Sequence, residues 1–141
     1  MLWLTEFWNS KIAKALGAVG WESRVELIDA SSLASLSNHA RGNLILLDVR
    51  DPHEIEKYSY SIQGALLTMH VDVSGLVQWI PRKSTVVLFA AETIPLNDAR
   101  LHLPAQGLKV HALDGGLQAW CQAGLPLEPV VLSDRRWVDN P

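Results

Sequence analysis

Two places in this chain put reactive side chain types where a wound α/β domain presents its ligands. Asp48 and Arg50 flank Val49 at the end of the apolar run Leu44-Ile45-Leu46-Leu47, and Glu54 follows about one helical turn later. A carboxylate and a guanidinium at the C-terminal end of a strand can serve a ligand, or can close on each other as a structural ion pair. The second place is the strand Thr85-Val86-Val87-Leu88-Phe89 and the residues after it: Ala90, Ala91, Glu92, Thr93, Ile94, Pro95 and Leu96. A strand, a short loop and a helix in succession hold an anion or a reactive group at a helix N-terminus. Yet this loop has no Cys, Gly, Lys or Arg. Thr93 is its only hydroxyl, Pro95 removes one amide, and Glu92 adds negative charge.

The other candidates are weaker. Cys121 is the single cysteine, so no internal disulfide framework and no cysteine-built zinc site can form. It follows Trp120 inside a helical segment and reads as a half-buried thiol, with a displaced nucleophile as the alternative. His39, His53, His70, His102 and His111 lack the one-turn spacing of a metal pair. Asp114-Gly115-Gly116 lacks the longer glycine pattern and the Lys of a phosphate loop and reads as a tight turn.

The elements that must position these residues follow from periodicity. With 141 residues, 48% of them hydrophobic, the chain supports one core. Short β-rich runs alternate with helical or turn segments, which predicts a mostly parallel wound sheet. Strands are expected over 25–28, 44–49, 65–67, 85–89 and 110–113. Helices are expected over 32–37, 51–57, 74–79, 95–103 and 117–123. Gly124 and Pro126 stop the last helix, and 128–141 reads as a tail. At the other end Leu4, Trp8, Ile12 and Val19 share one helical face, predicting an amphipathic helix laid on the core or against a partner. Six tryptophans, three of them (Trp3, Trp8, Trp21) in this N-terminal stretch, suit buried or interface anchors.

Four segments in order resemble the rhodanese-like domain of the single-domain sulfurtransferases. They are Leu46-Leu47-Asp48-Val49-Arg50-Asp51-Pro52-His53-Glu54, Ser61-Ile62-Gln63-Gly64-Ala65, Val86-Val87-Leu88-Phe89, and Leu113-Asp114-Gly115-Gly116-Leu117-Gln118-Ala119-Trp120 with Gly124 and Pro126 beyond it. The resemblance covers about 25–126. It implies a catalytic cysteine directly after the fourth strand, and that position is Ala90. A persulfide carrier needs a thiolate there, and a methyl group cannot supply one. One engineered exchange would leave the family's loop Gly and basic residue in place; their absence too makes the loop read as a natural loss. The resemblance also gives Arg50 and Glu54 the task of tying loop and helix together, so Asp48, Arg50 and Glu54 are read as binding residues that support the loop.

The expectation is a three-layer α/β/α rhodanese-like domain over 23–127 with a parallel sheet of about five strands, an N-terminal helical extension over 1–22, and a tail over 128–141. No catalytic residue, cofactor or metal is expected. The function expected is a binding or regulatory module for a protein partner or small ligand. The alternative is an active thiosulfate sulfurtransferase, with a native cysteine at position 90 or with Cys121 as carrier. The net charge of -3 and scattered basic residues argue against nucleic acid. The N-terminus has neither a basic leader nor an unbroken apolar span, so a cytoplasmic protein is expected, with room for a dimer.

Overall fold

The computed structural model describes residues 25–39, 43–68, 75, 77–103 and 108–131. The expected N-terminal helix and the tail from Leu132 lie outside the described residues. Seven strands are described: β1 (Val25–Ile28), β2 (Leu44–Asp48), β3 (Tyr60–Ile62), β4 (Leu66–Leu67), β5 (Thr85–Phe89), β6 (Lys109–Leu113) and β7 (Leu127–Pro129). The helices are α1 (Ala30–His39), α2 (Pro52–Lys57) and α3 (Gly116–Gln122), with single 3-10 turns at Val77–Trp79 and Ala99–Leu101.

Five strands form one parallel sheet in the order β1-β6-β5-β2-β4, so the expected sheet is present. Its centre is β5, whose apolar residues alternate between two cores. Val86 and Leu88 join Leu47, Ile94, Leu101 and Val110 on one face. Val87 and Phe89 join Leu33, Leu113, Leu117 and Trp120 on the other, beneath α1 and α3. A strand covered on both sides must be apolar throughout, which is why β5 and β2 show no polar alternation.

Local chemistry sets the helix starts. The Asp29 carboxylate accepts from Ser32 N at 2.7 Å at the head of α1. At α2, Asp51 accepts from Glu54 N at 2.8 Å and Glu54 Oε1 accepts from Asp51 N at 3.1 Å, a reciprocal cap with Pro52 in the first turn.

Four expectations need correction. No α-helix runs from 95 to 103: Asp98 is extended (φ -69°, ψ 132°), its carboxylate takes Arg100 N at 2.9 Å, and only a 3-10 turn follows. An Asp side chain that captures a nearby amide competes with the helix ladder. The buried residues there are Ile94, Leu101 and Leu103, while Leu96 is 46% exposed, so the helical apolar face is absent. Within the helix expected over 74–79, Gly75 is α-helical while 77–79 form a 3-10 turn. The helix expected at 32–37 runs longer, over Ala30–His39. The tail does not begin at 128, because β7 pairs antiparallel with β3, Ile62 facing Leu127 and Tyr60 facing Pro129.

Leu88 has no solvent exposure and lies in the central strand between β2 and β6. Leu88→Ala should cost about 2–5 kcal/mol, read as a lower urea midpoint at unchanged slope.

Candidate functional site

The site begins with a buried charge pair. Asp48 and Arg50 are 0% and 1% exposed. The Asp48 carboxylate accepts from Arg50 Nη2 at 2.8 Å, from Arg50 Nε at 3.0 Å, from Arg50 N at 3.1 Å and from Ser61 Oγ at 2.7 Å. Arg50 spends its remaining donors on carbonyls: Nη1 on Tyr58 O at 2.9 Å and Nη2 on Tyr60 O at 2.8 Å. Its three nitrogens are thus each bonded to protein, which makes Arg50 chiefly a structural residue. Glu54 makes the α2 cap described above and is tied to Asp51 rather than to Arg50.

The loop after β5 lies on the start of α3. Ala90 O accepts from Leu117 N at 2.9 Å, and Ala91 O accepts from Gln118 N at 3.0 Å. These are helix-start amides that would otherwise face a ligand. Thr93 Oγ1 accepts from Gly115 N at 2.6 Å and donates to Asp114 Oδ1 at 3.4 Å. Gly116 permits this approach: its φ is +57°, and a Cβ there would stand 2.6 Å from Glu92 C and O and 2.7 Å from Ala90 O. The glycine pair expected as a tight turn is therefore also the seat of the loop.

Between α2, this loop and α3 opens a cleft of about 460 Å³, within the range of small-molecule pockets. Glu54, Lys57 and Tyr58 form one wall, Ala91 and Glu92 another, and Leu117, Gln118 and Cys121 the third, with Arg50 beneath. Ala90 does not line it; partly buried, it packs against the core of Val86, Leu88 and Ile94. Cys121 does. Its Sγ lies 3.4 Å from Tyr58 Oη, a contact that, more than burial, pushes the Tyr58 phenol above its ordinary range. Leu117, Gln118 and Cys121 share a face at one-turn spacing, a pattern legible in the sequence once the helix register is known. Lys57 and Tyr58 carried no such signal.

A second guanidinium near the cleft is also committed. Arg100 pairs with Asp98 at 2.8 Å and donates to Val49 O at 3.3 Å. The hydrogen bonds from Arg100 hold the Asp98 carboxyl at about 2, below its reference of 3.8. Lys57 is thus the one uncommitted cation among the described lining residues, against Glu54 and Glu92. No group of three or more His, Cys, Asp or Glu among the described residues could hold a metal ion. Nor is any described helix long and apolar enough to cross a membrane.

A parallel wound sheet with a cleft at the C-terminal ends of β2 and β5 defines the class of α/β ligand-site domains. Residues 29–123 match the family described as Rhodanese-like domain, and this chain belongs to it. It is 27% identical over 105 residues to the thiosulfate sulfurtransferase GlpE of Vibrio cholerae serotype O1, a match covering 72% of this chain and 92% of that relative. The thiosulfate sulfurtransferase of Pseudomonas aeruginosa superposes with a TM-score of 0.59 at 25% identity, covering 77% of this chain and 20% of that one. A full-length protein of Lactobacillus plantarum superposes with a TM-score of 0.57 at 20% identity, covering 86% and 98%.

Two outcomes follow for the charges. Arg50→Met should lower stability by about 3–5 kcal/mol, because it leaves Asp48 buried without its counter-ion; Arg50→Lys, which keeps the charge but not the fork, should recover only part in denaturant melts. Asp98, with its folded pKa of about 2 below 3.8, stabilises the fold above pH 3.8 and loses that contribution as pH falls towards 2. Wild type should therefore exceed Asp98→Asn in urea midpoint at pH 6, and the difference should close across that interval.

Proposed function

We propose that this rhodanese-like domain moves no sulfur through the loop after β5 and serves as a binding or regulatory module, with the cleft beside that loop as its recognition surface. The observation that carries this reading is Ala90, a methyl group packed on the core where the fold would expose a nucleophile. The cleft's charges point the same way. Arg50 and Arg100 are each paired with an aspartate, the first two backbone carbonyls of the loop cover the start of α3, and Glu54 and Glu92 repel an incoming anion. What suits such walls is an apolar group, neutral or positively charged.

A second reading rests on Cys121, which lines the same cleft. Its thiolate would attack the outer sulfur of thiosulfate, the sulfur–sulfur bond would break, sulfite would leave, and a persulfide would pass to cyanide or a thiol.

Sulfur transfer from thiosulfate to cyanide, run beside intact-mass analysis, separates the two. No turnover and no added sulfur atom are expected. Turnover with an added sulfur that disappears in Cys121→Ser would replace the first reading by the second. Ala90→Cys should remain about a hundredfold below a cysteine-bearing relative, since loop donors and cations are missing along with the thiol.

A further inference from the structure

The acids of the cleft are in excess, and one of them stands on a fixed backbone. Among the described residues only Asp48 with Arg50 and Asp98 with Arg100 form ion pairs, so Glu54, Glu92 and Lys57 line the cleft without an ion-pair partner. Glu54 has given one carboxylate oxygen to the cap of α2. Glu92 is held by its neighbours: Ala91 O accepts from Gln118 N at 3.0 Å, and Thr93 Oγ1 accepts from Gly115 N at 2.6 Å. Its own carbonyl packs so closely on Gly116 that a Cβ there would stand 2.6 Å away. A carboxylate on a backbone already in place binds a ligand without first ordering a loop.

These charges decide what the cleft accepts. An anion meets two carboxylates. A neutral body filling the space strips water from them without replacing it. A cation replaces that water with charge-assisted hydrogen bonds. Lys57 cannot serve both acids, since one ammonium faces two carboxylates, and its long exposed stem carries the charge out to solvent. The other walls fit the body of such a ligand. Leu117 and Ala91 are apolar, and Tyr58, 42% exposed with its hydroxyl 3.4 Å from Cys121 Sγ, offers an aromatic ring to a cation. A space of about 460 Å³ suits a small molecule.

We propose that the cleft binds a small organic amine, with its apolar body against Leu117, Ala91 and the Tyr58 ring, its ammonium on Glu92, and Glu54 as second acceptor. This rests on the reading of the cleft as a recognition surface and narrows its ligand to a cation.

Phenethylamine, phenethyl alcohol and hydrocinnamate present one ring with an ammonium, a hydroxyl and a carboxylate. Each is titrated, on the full chain at neutral pH, against alkylation of the single thiol Cys121 by N-ethylmaleimide, which reports occupation of the cleft. Phenethylamine should slow alkylation saturably, phenethyl alcohol should need about five times the concentration for the same protection, and hydrocinnamate should give none in that range. Glu92→Gln should weaken phenethylamine about two- to fivefold, the worth of an exposed ion pair. Lys57→Gln, which removes the competing ammonium, should tighten it. No protection by phenethylamine, or equal protection by all three compounds, would overturn the proposal and leave an inactive binding module standing. Weaker binding in Lys57→Gln would point to an amphoteric ligand and overturn it too. So would protection by an acetylated arginine amide at lower concentration than phenethylamine, which would assign the cation to a protein side chain. Sulfur transfer by the wild type would remove the reading beneath it, and the proposal with it.

Discussion

A guanidinium buried to 1% exposure dictates the geometry around the cleft. Taking an ion pair out of water costs several kcal/mol per ion, recovered only when each donor and acceptor is met. Asp48 answers Arg50 with both oxygens and also takes Ser61 Oγ; Tyr58 and Tyr60 answer with carbonyls. Those partners come from the end of β2, the end of α2 and the start of β3. One charge therefore joins three segments, and Tyr58, whose carbonyl it fixes, is held where its hydroxyl meets Cys121. Because β3 is pinned in this way, β7 has a partner.

The loop after β5 is held in place by contacts of its own. Residues 90–93 rest on α3 through two carbonyls and one threonine hydroxyl, and Gly116 gives them room. None of these contacts requires a side chain at position 90. Ile94, buried to 1% exposure, anchors the far end of the loop in the core with Leu101 and Leu103. Loop placement is thus separable from loop chemistry, so a nucleophile can be absent while the backbone stays in place.

What was legible in the sequence was what local pattern controls. The unbroken apolar runs of β2 and β5, the Asp-Pro start of α2 and the glycine pair before α3 each fix an element from a few neighbouring residues. Less legible was what distant pairing controls. β3 and β7 are three residues each and join positions 65 to 69 apart, so neither shows a period worth reading alone. The segment at 95–103 misled because Leu96, Ala99 and Leu103 have helical spacing, whereas Asp98 captures Arg100 and breaks the ladder. Asp48 and Arg50 were recognisable as a pair, but their reach to Tyr58, Ser61 and Tyr60 depends on the fold.

Cys121 shows why site chemistry is harder to read than site architecture. In sequence it is one thiol inside a helix, next to a tryptophan whose indole donates to Pro126 O at 2.8 Å. Its chemical surroundings come from Tyr58, 63 positions earlier, which reaches it only because Arg50 has fixed the end of α2. The cleft thus keeps a polar contact between thiol and phenol while the strand end beside it carries a methyl group. Two arginines close to that cleft are neutralised by aspartates two residues away in sequence. Of the two pairs only Asp48–Arg50 is buried, so it is that one, and not the solvent-exposed Asp98–Arg100 pair, that holds its surroundings in place beside the cleft.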